Sequence, residues 1–258
     1  MIMLERQNEI FNYLQKHKYG SVSELAQKFF IGEATIRRDL KKLEKQKLIE
    51  RTYGGAVLIE GLSGEIPIDV REKERNSAKD FIAREAAKYI SDNDVIIIDS
   101  STTSASIIHY IEDRKNLVVI TNGAKVAIEL SKQPEVTVYC TGGRQRSNSL
   151  SFVGAQAEKS IKSYTSQKLF FSCRALHTEY GVQDSSVEEA ELRKVMMERS
   201  TESFLLCDSS KLDGKAFYNI CDLSSIDYLI TEKDPGDLWK QLCDEKGVTL
   251  IYPSNGVR

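Results

Sequence analysis

The sequence predicts an α/β protein in two parts: a small basic head of three helices with a two-stranded wing, then a larger α/β body on a mostly parallel sheet. Three observations predict it. Charge is divided unevenly: residues 1–58 hold 11 Lys/Arg against 7 Asp/Glu, a net of +4, and the other 200 hold 25 against 31, a net of −6. Apolar residues of the head recur at helical spacing. Beyond residue 78, apolar runs of strand length alternate with helical segments. The formal charge of −2 over the whole chain averages two opposite parts and does not exclude a polyanionic partner.

Bulk features narrow the classes further. The longest apolar runs, such as Val95-Ile96-Ile97-Ile98, have strand length, far from the roughly 20 residues of a membrane span. The opening Met-Ile-Met-Leu-Glu-Arg lacks the apolar stretch of a leader, so a reducing cytoplasm is the expected compartment. Cys140, Cys173, Cys207, Cys221 and Cys243 are odd in number and widely spaced, which argues against a disulfide framework. His17, His109 and His177 lack metal-ligand spacing, and no metal or other cofactor is expected.

The head divides into elements in order. Leu4 to Lys18 carries Ile10, Tyr13 and Leu14 on one face and reads as a helix stopped by Gly20. A short second helix follows from Ser21 or Ser23, either of which is a suitable cap, with Val22, Leu25, Ala26 and Phe29 as its buried stripe. Phe30-Ile31-Gly32 makes a turn, and a third helix runs from about Ala34 to Lys45. In it Ile36, Leu40 and Leu43 stand at i, i+4, i+7 and face a core. Arg38, Lys41, Lys42 and Lys45 fall on the opposite face, with Thr35 and Arg37 at the boundary. A helix with an apolar seam and a basic outer face, entered by a short helix and tight turn, fits the major groove of DNA. Residues 48–57 then read as two short strands around a turn, a wing whose Arg51 and Tyr53 reach the backbone or the minor groove. Ser23 completes the candidate DNA contacts.

Glu60 to Ser77, with Gly61, Gly64, Pro67 and many charges, reads as a connector. The expected order beyond it is helix 79–90, strand 95–98, helix 103–111, strand 117–120, helix 123–131 and strand 136–140. Helix 154–163, strand 168–171, helix 187–200, strand 204–207 and a last strand at 228–231 follow. In parallel sheets ligands bind beyond the carboxyl ends of the strands, so the residues just past each strand matter. They are small or polar. Asp99, Ser100, Ser101, Thr102 and Thr103 follow one strand and open a helix; Thr121 and Asn122 follow the next. Gly142 and Gly143 let backbone approach a ligand, Cys173 and Arg174 follow a fourth strand, and Lys211 supplies a cation after a fifth. Neither nucleotide-binding glycine motif is present, which disfavours nucleoside triphosphates and dinucleotides.

Ser23-Glu24-Leu25-Ala26, Ala34-Thr35-Ile36-Arg37-Arg38-Asp39-Leu40 and Arg51-Thr52-Tyr53-Gly54-Gly55-Ala56 closely resemble the DeoR-type winged helix-turn-helix signature. Gly32 stands where that family usually has a capping Ser, and Lys47 where it often has a turn Gly. The strand-end blocks resemble the family's Rossmann-like α/β sensor domain, similar in fold to ribose-5-phosphate isomerase. The resemblance implies a phosphorylated sugar as effector, with its phosphate near Ser101, Thr102 and Thr103 and Lys211 as a substrate-binding lysine. It puts Arg193 where the isomerase keeps its catalytic glutamate, and a guanidinium cannot act as a base. Ser172-Cys173-Arg174-Ala175 departs from the family at the fourth loop; Arg174 either adds an anion contact or points to solvent.

The expected layout is therefore a DNA-binding head at 1–58, a linker at 59–77 and a sugar-phosphate-sensing domain at 78–258. The expected function is a DNA-binding transcriptional regulator, a repressor of a sugar-metabolism operon. Its expected partners are double-stranded operator DNA, a phosphorylated sugar and further copies of itself (a dimer or tetramer), with no membrane. The competing reading is a sugar-phosphate isomerase-like enzyme with a DNA-binding appendage, for which Asp99, Asp184 and Glu189 are available carboxylates. The same two residues, Asp184 and Glu189, complete the candidate effector site.

Overall fold

A computed structural model describes residues 3–17, 19–45, 48–58, 68–73 and 75–253. The chain divides into two compact units, Met1–Arg71 and Glu72–Arg258. Lys18 and Lys47, and residues 59–67 of the expected linker, lie outside the described residues.

The first unit holds α1 (Met3–His17), β1 (Tyr19–Ser21), α2 (Val22–Phe29), α3 (Glu33–Lys45), β2 (Ile49–Thr52) and β3 (Gly55–Leu58), and α4 (Ile68–Lys73) runs across the boundary. Ile10, Phe11, Leu14, Val22, Leu25, Ile36, Leu40 and Leu43 close one apolar core with Leu48, Ile49 and Ala56 of the wing. One detail differs from the sequence reading, and one choice it left open is decided. Gly20 does not end the first helix in a free turn; it lies within β1 and pairs with Ala56, so the wing sheet has three antiparallel strands in the order β1-β3-β2. A side chain there would press on Leu14 and Leu25 at 3.1–3.2 Å, which explains why the strand needs glycine. The second helix is capped by Ser21, whose hydroxyl accepts from Glu24 N while the Glu24 carboxylate accepts from Ser21 N, a reciprocal capping box. Phe30 closes α2 in the left-handed region, its N–H directed to the Ala26 and Gln27 carbonyls.

The second unit opens with α5 (Asn76–Ala87), β4 (Val95–Ile98) and α6 (Thr102–Ala105), which continues as a 3₁₀ helix over Ser106–Tyr110. Then come β5 (Leu117–Thr121), α7 (Ala124–Leu130), β6 (Val136–Cys140) and a hairpin of β7 (Arg144–Arg146) and β8 (Ser151–Val153). The chain continues through α8 (Ala155–Lys162), β9 (Ser166–Phe171), β10 (Ala175–His177), β11 (Gly181–Asp184), α9 (Val187–Glu198) and β12 (Ser200–Leu206). It ends with β13 (Tyr218–Cys221), β14 (Tyr228–Ile230), α10 (Asp237–Lys246) and β15 (Thr249–Ile251).

Seven strands form one parallel sheet in the order β15-β14-β12-β9-β4-β5-β6. Alternation along each strand sends Ile96 and Ile98 to one face, against α5, the 3₁₀ helix and α7. Ile97, Leu169, Phe171 and Leu205 go to the other, against α8, α9 and α10. A small antiparallel sheet, β10-β11-β13, adds Leu176, Val182 and Ile220 to that second core. The sheet does not end at residue 231 as read from sequence; α10 and β15 extend it. Strand order reverses between β4 and β9, so the loops after these two strands diverge and leave the crevice where such sheets bind ligands.

Candidate functional site

In the first unit α3 buries Ile36, Leu40 and Leu43 and exposes Ala34, Arg37, Arg38, Lys41 and Lys45, as the spacing requires. Lys42 and Thr35 are half-buried. Arg38 and Lys41 have no intramolecular ion pair among the described residues. Arg37 pairs with Glu33 one turn away at 3.1 Å, and Arg51 pairs with Glu44 at 3.7 Å. Tyr53 is fully exposed at the wing tip, and Ser23 is exposed on α2. Gly55 lets β3 lie close against β1: a Cβ there would lie 2.2 Å from the Gly20 carbonyl oxygen. Gly54 O accepts from Val22 N at 2.8 Å and ties the wing tip to the start of α2. Asp39, which the sequence reading passed over, is buried on α3; Arg6 Nε reaches its Oδ2 at 2.5 Å and Gln7 donates to its Oδ1 at 3.0 Å. That pair fixes α1 on the back of the helix whose front is basic.

In the second unit the strand ends converge on Arg193. Its guanidinium, 6% exposed, meets Asp99 Oδ2 at 2.9 Å, Asp184 Oδ2 at 2.8 Å and Glu189 Oε2 at 3.3 Å. Arg146 of the β7–β8 hairpin reaches Glu189 Oε1 at 2.8 Å, and the Ser151 hydroxyl donates to the same oxygen. Burial alone would raise the Glu189 carboxyl, but Arg193, Ser151 and Arg146 hold it down to about 2. Burial would lower Arg193, but Asp99, Asp184 and Glu189 raise it above its ordinary value. These groups stay ionised at neutral pH. Glu189 is therefore no proton shuttle there, and the carboxylates available to the enzyme reading are held by an arginine.

Around that centre Asn122 Oδ1 accepts from Ser100 N at 3.0 Å, and Asp99 accepts from Ser101 N at 3.0 Å and Ser172 N at 3.3 Å. Lys211 Nζ lies 2.7 Å from Ser172 Oγ and 3.5 Å from Asp208. The loops after β4, β5, β9 and β12 are thus joined. Ser101 caps α6 by accepting from Ser104 N, and Thr121 Oγ1 accepts from Gly123 N. Gly142 and Gly143 adopt φ of +63° and +111°, and a Cβ on Gly143 would stand 2.9 Å from Val153 O. Cys173 is buried and Arg174 exposed. The Cys207 thiol, hydrogen-bonded with the Cys173 thiol and buried, is pushed well above the ordinary thiol range, which makes it inert.

A cavity of about 480 Å³ opens beside this network, between α5, the 3₁₀ helix and α7. Of the expected effector residues only Thr102 lines it; Lys79, Lys125, Glu72 and His109 do so as well. Sequence reasoning missed Lys79, Lys125, Arg146, Ser151 and the ion pairs of Arg193. A lysine in a helix or a serine in a three-residue strand carries no signal of what meets it from forty or ninety residues away. Among the described residues no cluster could hold a metal ion, and no helix is long and apolar enough to cross a membrane.

Comparison with known proteins agrees with both halves. Residues 6–61 match the family description "DeoR-like helix-turn-helix domain" and residues 74–233 match "DeoR C terminal sensor domain". The HTH-type transcriptional regulator YulB of Bacillus subtilis (strain 168) is 41% identical, over 98% of both chains. The HTH-type transcriptional repressor GlcR of the same organism is 30% identical over 97% of this chain and 96% of its own. Of solved structures, ribose 5-phosphate isomerase A from Methanocaldococcus jannaschii aligns at a TM-score of 0.38 and 16% identity, over 52% of this chain and 53% of that one. The chain belongs to the DeoR family of DNA-binding transcriptional regulators.

Proposed function

We propose that the protein represses a sugar-metabolism operon and that a phosphorylated sugar, bound at the strand ends of the second unit, controls its grip on the operator. The functional parts in this reading are the head 1–58, the linker 59–77 and the sensing domain 78–258. The observation that carries it is the joining of four strand-end loops around Asp99, Ser172 and Lys211, beside the point where strand order reverses. Lys211 and the backbone at Ser101, Thr102 and Thr103 suit an anionic ester; Asn122, Gly142, Gly143 and the rim residue Arg174 suit the sugar around it. Arg193 fills the place of a catalytic base with a fixed cation, which favours binding over turnover. That GlcR is named a repressor supports the direction of control.

In the head, Arg38, Lys41, Lys42 and Lys45 supply phosphate and base contacts, Thr35 and Arg37 the start of the recognition helix, and Ser23, Arg51 and Tyr53 the flanking backbone contacts. One module of this size makes too small an interface for operator specificity, so two or more copies act together in the cytoplasm on paired half-sites. Band shifts on the DNA upstream of neighbouring sugar genes, titrated with a panel of sugar phosphates, test the reading. One sugar phosphate is expected to change operator affinity at least tenfold, within the usual range of allosteric coupling, about 5- to 150-fold. Turnover of a sugar phosphate by the purified protein would favour the enzyme reading instead.

A further inference from the structure

The two edges of the seven-stranded sheet are not alike. β15 at one edge has three residues, and so short an edge strand offers little to pair with. β6 at the other edge has five, Val136-Thr137-Val138-Tyr139-Cys140. Edge strands are ordinarily guarded by a charge, a proline or a bulge, and β6 carries none of these. Thr137, Tyr139 and Cys140 are exposed, and on the face where Val136 and Val138 join the core α7 exposes Ile128 at 61%. The backbone fixes which groups this edge offers. Glu135 O accepts from Leu117 N, and Thr141 N donates to Thr121 O, so the odd-numbered residues between them turn N–H and C=O toward β5. Val138 and Cys140 therefore turn both groups outward, and Val136 its carbonyl. Among the described residues no further strand pairs with them.

We propose that β6 is the seam at which a second copy of this chain docks, antiparallel, about a two-fold axis through Val138. That register pairs the whole strand with itself. Val138 exchanges N–H and C=O bonds with the partner's Val138, and Cys140 stands opposite the partner's Val136, so outward groups meet outward groups. Thr137 stands opposite the partner's Tyr139, an uncharged pair that occurs at both ends of the seam. Glu135, the acid next to the strand, falls opposite the partner's Thr141, so no like charges meet. The two sheets become one, with the α7 helices of both copies on the same face of the seam. The inference rests on the reading that copies act together on paired half-sites, and it names the surface that pairs them.

The test uses the full chain. Val138→Cys in a Cys140→Ser background is expected to form a disulfide between copies under oxidised glutathione, because directly opposed, hydrogen-bonded residues hold their Cα atoms about 5.5 Å apart, within disulfide reach. Wild-type Cys140 is expected to form none, since its two copies stand four residues of strand apart, roughly 13 Å. Thr137→Asp with Tyr139→Asp sets acid against acid at both ends of the seam and is expected to halve the mass in solution, read by sedimentation velocity. Thr137→Lys with Tyr139→Asp sets lysine against aspartate and is expected to restore that mass. Should the acidic pair unfold the sheet, the cross-link at 138 decides alone. No cross-link at 138, or a folded acidic pair that keeps the wild-type mass, overturns the seam while leaving the pairing of copies to another surface. A wild type that is monomeric both free and on palindromic operator DNA overturns the pairing itself.

Discussion

The two units use the same residue type for opposite ends. In the head, Arg38 is exposed beside Lys41 on the outer face of α3. In the body, Arg193 is buried with three carboxylates within 3.3 Å. An exposed, unsatisfied guanidinium is available to a polyanion and adds little to folding. A buried, fully paired one is unavailable to any partner, and its removal leaves uncompensated charge. The contrast separates function from architecture: a mutation in one place should change binding, and in the other stability.

Breaking the buried side gives the largest effect. Arg193→Met leaves Asp99, Asp184 and Glu189 without their cation and should destabilise the second unit by about 3–5 kcal/mol in denaturant unfolding. The pH dependence follows from Glu189. Its folded carboxyl is depressed to about 2 from an ordinary value of 4.5, so its contribution is complete above about pH 4.5 and fades as pH falls toward 2. Acid unfolding of the wild type should show that loss, and Arg193→Met should show a smaller one, because Ser151 and Arg146 still hold the Glu189 carboxyl down.

The head has one buried pair of its own, which sharpens the comparison. Asp39→Asn should cost about 2 kcal/mol by weakening charge-assisted bonds to Arg6 and Gln7, and melting of the first unit should shift while the second holds. Arg38→Ala should leave both melts in place and weaken duplex DNA binding by roughly 1–3 kcal/mol. Lys41→Ala, which removes a proposed phosphate contact, should lower the slope of log affinity against log salt by about 1. The smallest effect is Ser21→Ala, which removes half of the capping box at about 1 kcal/mol.

The head was the more legible half, for a local reason. Its seam of Ile36, Leu40 and Leu43, its turn and its Gly54-Gly55 wing are written within a few residues of one another. The body's strands were legible too, because each apolar run is bounded by small and polar residues, and so were the loops that gather at the switch point. What was hidden is what those loops meet. Asp99 and Arg193 are 94 residues apart, and Ser151 and Glu189 are 38 apart; neither pairing leaves a periodic trace. The three-residue strands β7, β8, β10 and β15 are too short for alternation to show. Asp39 was passed over because a charged residue next to an apolar seam reads as surface.

The central claim is that a phosphorylated effector in the second unit sets the DNA affinity of the first. The most direct measurement is fluorescence anisotropy on operator DNA, with and without the sugar phosphate found in the band shifts, for wild type and Lys211→Met. The account predicts equal DNA affinity for the two proteins without effector, and an effector response in wild type that Lys211→Met loses. A Lys211→Met protein that still responds at the same effector concentration would contradict it.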